Sequence, residues 1–123
     1  MILKRLILLS MLSLCGASLA SGDEDFISHY EYGQMLYTNP RGVSCVECHG
    51  EAGEGKVIAE FRDIHSKEQI KGPDIRNKTL EEMILALNTY DDIMPRYYLT
   101  DEEIKAIYDF LKEKSKRTEG VTR

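Results

Sequence analysis

Cys45-Val46-Glu47-Cys48-His49 is the stretch on which the reading of this chain turns. Two thiols three positions apart lie on one turn of backbone. Each can form a thioether to one of the two vinyl groups of a single porphyrin, and His49 then falls beneath the iron as the proximal ligand. This C-x-x-C-H spacing is the attachment signature of covalent haem. Three other uses of the pair compete. A thioredoxin-type redox pair needs a βαβ context that the sequence lacks. A structural zinc needs four ligands and would have to recruit His29, His49 or His65, with no second C-x-x-C to help. A disulfide across three residues closes too short a loop to stabilise much. The histidine placed directly after the second cysteine favours haem.

Ahead of the motif, residues 1–20 read as an export signal. Lys4 and Arg5 supply a positive start, residues 6–14 a nine-residue apolar stretch, and Ser18-Leu19-Ala20 small residues at the two positions a signal peptidase reads. Two other uses of the segment are an uncut membrane anchor and lipid attachment at Cys15. The second is opposed by Leu14, where the lipoprotein pattern wants a small residue. No apolar run reaches the roughly 20 residues of a spanning helix, so no transmembrane span is expected in the mature form. Cleavage leaves 103 residues, with 14 basic against 21 acidic side chains, a net −7, and only Cys45 and Cys48 as cysteines. Such a small chain with a thin apolar share is marginal without a disulfide or a bound group. The acidic balance argues against a nucleic-acid binder, and 123 residues are too few for a Rossmann pair or a (β/α)₈ barrel.

The rest of the mature chain reads as helices and loops. Phe26, Tyr30, Gly33 and Tyr37 mark one apolar stripe, which predicts a helix over residues 24–38, ended by Asn39-Pro40-Arg41-Gly42. Residues 50–78 read as loop, with one short helix near residues 66–70. Thr79 with Glu82 and Thr100 with Glu103 form capping boxes ahead of two apolar stripes, one through Leu80, Met83, Ile84 and Leu87, the other through Ile104, Ile107, Tyr108 and Leu111. No segment alternates with a period of two, so no sheet is expected. The expectation is an all-α domain over residues 21–115, three to five helices around one covalently attached haem, followed by a flexible basic tail at 116–123.

With these residues the sequence resembles the small, single-haem c-type cytochromes of class I. The resemblance rests on Gly33 and Tyr37, on residues 45–50, on Gly72-Pro73, on Met94-Pro95 and on the closing run from Leu99 to Leu111. It implies His and Met axial ligands, Gly33 letting the first helix cross the last near Ile107 and Phe110, and a Pro73 carbonyl accepting from the His49 ring. The 23 residues between His49 and Pro73 exceed those of the shortest family members.

Three methionines are available for the sixth position. Met35 and Met83 lie within helical segments, Met83 on an apolar stripe, where methionine commonly fills core. Met94 lies in a loop 45 residues after His49, beside the stiffening Pro95. It is the expected ligand, with a packing role and the rival His65 as the alternatives. Arg76, Arg96, Tyr97 and Tyr98 are candidate partners for the haem propionates. Glu51, Glu54 and the Asp91-Asp92 pair read as solvated loop charges. The function expected is electron transfer rather than enzyme catalysis: a periplasmic monomer carrying one haem c, which meets redox proteins through their basic surfaces. The alternatives are the electron-transfer subunit of a larger exported oxidoreductase, or a gas-sensing or peroxidatic haem protein.

Overall fold

Ser28 starts the first helix. Its Oγ accepts from the Glu31 N–H at 3.2 Å, while the Glu31 carboxylate accepts from the Ser28 N–H at 2.9 Å. This reciprocal cap satisfies two N–H groups that a helix start leaves bare, and it begins α1 at His29–Thr38. Phe26, which the stripe placed inside the helix, precedes it and is fully exposed. The computed structural model describes residues 26–121; the export-signal reading of residues 1–20 lies outside them. After α1 come α2 (Val46–His49), β1 (Lys56–Arg62), β2 (Lys67–Gly72), α3 (Leu80–Asn88) and α4 (Asp101–Val121).

The two strands correct the all-α expectation. They pair antiparallel from Lys56 opposite Gly72 to Arg62 opposite Lys67, with an irregularity between Val57 and Ala59 that skips Ile58. They occupy the long connection between His49 and Pro73, and the helix expected near residues 66–70 is part of β2. The reason lies in burial. Every residue of β1 is exposed, so no face is selected to be apolar and no two-residue alternation is written. The skipped residue also shifts the phase of Val57, Ile58 and Phe61. Cross-strand polar contacts support the pair, Lys67 with Glu60 at 2.9 Å and the Gln69 amide donating to Glu60 at 2.6 Å.

The core lies where α1 crosses α4. Leu36 and Tyr37 pack with Ile104, Ala106, Ile107, Phe110 and Leu111, and Met83 of α3 completes the cluster. The Tyr37 and Phe110 rings meet at 5.6 Å between centroids, tilted. Gly33 makes the crossing possible, because a Cβ there would lie 2.1 Å from the Ala106 carbonyl oxygen and 2.8 Å from Phe110 Cβ. The expected contact with Phe110 is present, and Ala106 is the closest residue. α4 continues to Val121, so the basic segment from 116 is helical to that point. Arg117 there stacks over the Tyr30 ring of α1 at 4.5 Å. No helix among the described residues is long and apolar enough to cross a membrane.

One carboxylate joins the loop after α1 to the start of α4. Glu103 accepts from the Thr100 N–H at 2.9 Å as a cap, and from both terminal nitrogens of Arg41 at 2.8 Å. Arg41 also donates to the Tyr98 carbonyl at 3.0 Å. The Arg41 guanidinium, and then the Thr100 N–H, hold the Glu103 carboxyl down to about 2. A depressed value in the folded state means that stability is present above the ordinary carboxylate value and is lost as pH falls through the folded one. The expected result is that Glu103→Gln removes part of the acid sensitivity of the melting temperature between about pH 4.5 and 2. Melting curves across that range, identical in slope to the parent's, would contradict it.

Candidate functional site

The Cys-Val-Glu-Cys-His segment is held from all sides by backbone. The Cys45 N–H donates to the Tyr37 carbonyl at 3.1 Å, and the His49 N–H donates back to Cys45 at 2.8 Å, closing the single turn of α2. Tyr37, almost wholly buried, donates its hydroxyl to the Gly50 carbonyl at 2.6 Å. The Gly55 N–H reaches the His49 carbonyl at 2.7 Å. Gly72, at the end of β2, lies so close to α2 that a Cβ would fall 1.7 Å from the Cys48 carbonyl oxygen. The hairpin is thereby fastened to the motif, and the next residue, Pro73, is delivered beside the histidine.

His49 Nδ1 lies 2.9 Å from the Pro73 carbonyl oxygen, the contact that the resemblance implied. A carbonyl can only accept, so this bond puts the proton on Nδ1 and leaves Nε2 with a free lone pair. His49 borders two cavities, of about 650 and about 260 Å³. Cys45, Met94, Pro73 and Asp91 border both, and Cys48 borders the smaller. Apolar groups of Ile75, Leu85, Leu87 and Ile107 line the larger one. Both Cys45 and Cys48 are free thiols. Burial pushes the Cys45 thiol up to about 11, which is the opposite of the depressed thiol that disulfide exchange uses.

Two thiols, an imidazole with one nitrogen already committed, and a thioether thus gather on apolar cavities, the larger within the roughly 300–1,000 Å³ typical of cofactor sites. The donor set fits a haem. It does not fit zinc. His29 is bonded to Asp109 of α4 at 2.9 Å, His65 sits in the exposed hairpin turn, and among the described residues no three His, Cys, Asp or Glu side chains gather as a metal-ion site.

The other candidates separate clearly. Met94 borders both cavities, Met35 is half-exposed on α1, and Met83 is a core residue that also borders the larger cavity. His65 borders neither of the two. Of the four candidate propionate partners, Tyr97 alone borders one of these cavities, and its hydroxyl donates to the Val43 carbonyl at 2.8 Å. Burial pushes Tyr97 up to about 12. Arg76 is engaged with Asp74 at 3.0 Å, and Arg96 stacks over the exposed Tyr98 ring.

Asp91 is the site residue that the sequence reading missed. Taken there as a solvated loop charge, it accepts at one oxygen from the Ile93 N–H at 2.8 Å and from the Met94 N–H at 2.7 Å. These donors, Met94's first, hold its carboxyl below the usual range. An aspartate three residues ahead of a loop methionine is a turn signal that could have found it.

A family model described as cytochrome c matches residues 30–115. None of the curated proteins and none of the solved structures compared matches the chain.

Proposed function

Because this chain belongs to the cytochrome c family, and so is a haem-binding electron-transfer protein, we propose that it is an exported one-electron carrier of the class I type. It holds a single haem c through thioethers at Cys45 and Cys48, with His49 and Met94 as the axial ligands. The observation that carries this reading is the His49–Pro73 bond, which leaves Nε2 as the free donor on cavities bordered also by Met94 and both cysteines. The bound group supplies an iron couple that takes up and returns one electron.

The chain's own residues do the rest. Cys45 and Cys48 tether the group, so cofactor and core become one unit. Pro73 fixes the His49 ring and raises its basicity as a ligand. Met94 would supply the second protein ligand to the iron and so keep substrate off it; a neutral thioether in that role would favour the reduced state and raise the potential relative to a second imidazole. The protein works in the periplasm as a monomer after loss of residues 1–20. Its acidic surface, a net −10 over residues 21–111, favours redox partners that dock through basic patches, with encounter rates that fall as salt rises.

Methionine replacement tests the ligand set. Met94→Ala should abolish the thioether-to-iron charge-transfer band of the oxidised protein and lower its potential. Met35→Ala and Met83→Ala should keep that band, and Met83 is the sharper control because it borders the same cavity. An unchanged Met94→Ala spectrum would move the axial ligand elsewhere.

A further inference from the structure

We infer that Asp91 is the positioning residue that presents Met94 to the metal, an inference that rests on the assignment of Met94 as axial ligand. The segment from Thr89 to Thr100 has no regular secondary structure, so the placement of Met94 cannot come from a helix or a strand. Three restraints act on it instead. Pro95 limits the backbone on one side. The Tyr97 hydroxyl ties the segment to the Val43 carbonyl at 2.8 Å. Asp91 alone among them bonds the backbone of Met94 itself, its Oδ1 accepting from Met94 N–H at 2.7 Å and from Ile93 N–H at 2.8 Å.

The arrangement is selective. Asp92, next in sequence and of the same charge, makes neither bond, whereas Asp91 borders both cavities together with Met94. A charged acceptor serving two consecutive N–H groups makes stronger bonds than a neutral one. It restricts the backbone from which the thioether hangs. Such an outer partner acts on a metal through the ligand it holds, and its loss typically costs 10- to 100-fold in metal affinity or activity. Asp91 acts through the backbone of Met94, by reducing the freedom that Met94 would otherwise regain when another ligand competes for its place.

Competition by exogenous imidazole measures this directly. Holoprotein exported from a host with haem-attachment machinery is titrated with imidazole in the oxidised state, following loss of the thioether-to-iron band. Asp91→Ala should keep the band without imidazole and lose it at about tenfold lower imidazole than the parent. Asp91→Asn, whose amide oxygen can accept the same two bonds, should restore most of the resistance, and Asp92→Ala should match the parent. Melting temperatures of the holoproteins without imidazole are compared alongside, and Asp91→Ala should melt close to the parent. The inference is overturned if Asp91→Ala titrates like the parent, or if Asp91→Asn is as weak as Asp91→Ala. Met94→Ala is run alongside. If that variant retains the band, the assignment of Met94 itself fails, and the positioning role falls with it; if it loses the band while Asp91→Ala behaves as the parent, only the role of Asp91 is refuted.

Discussion

Cys45→Ala/Cys48→Ala, exported from a host able to attach haem, is expected to run on a denaturing gel without any haem-dependent peroxidase stain. Denaturant strips a coordinated haem and leaves a thioether intact, so the stain reports covalent attachment alone. Cys45 and Cys48 both border the smaller cavity, and neither is in a disulfide. Either single variant keeps one attachment point and should retain a weakened band. The effect on folding should be as large as the effect on colour. Among the described residues ten apolar side chains are buried, Pro40 included, a thin core for a domain of this size. A group bonded there would join residues of α2, α3 and the loop at Met94, which border the same cavities, and its loss would leave them unjoined. A normal stained band after both replacements would refute the attachment.

Gly33→Ala should damage the helix crossing severely. The added Cβ would sit 2.1 Å from the Ala106 carbonyl oxygen, and backbone cannot rotate away as a side chain can. α1 and α4 must therefore separate, loosening Tyr37 from Phe110. Tyr37 in turn carries the Gly50 bond that fastens the end of α2, so damage at the crossing spreads to the site. Overpacking of this kind costs about 3 kcal/mol, or between roughly 12 and 24 °C in melting temperature for a small domain. Gly120→Ala, on the exposed end of α4, is the control, because nothing lies within 4 Å of its Cβ. That variant should melt at or slightly above the parent temperature. Equal melting of the two variants would contradict the crossing argument.

How much could be read ahead of the structure depended on whether burial wrote a pattern. The capping boxes at Thr79 and Thr100 are local signals, and α3 and α4 begin where they point. Ser28 with Glu31 is the same device, yet the stripe drawn through Phe26 pulled the predicted start of α1 several residues too early. The hairpin left no trace, because a two-stranded sheet wetted on every residue of β1 imposes no alternation. The candidate site was marked by its motif: the spacing of Cys45, Cys48 and His49 carries its own geometry whatever surrounds it, and the structure brings all three to one cavity. The Pro73 contact came from resemblance, and its delivery by Gly72 packed on Cys48 needed the fold. Asp91 was hidden because a loop carboxylate looks the same whether it faces water or bonds the backbone of its neighbours.

Covalent haem is the claim from which the ligand set and the role of Asp91 both follow. Intact mass spectrometry of the secreted protein, run under denaturing conditions, addresses it without any variant. The predicted mass is that of the polypeptide plus one haem; a colourless product at the mass of the polypeptide alone would contradict it.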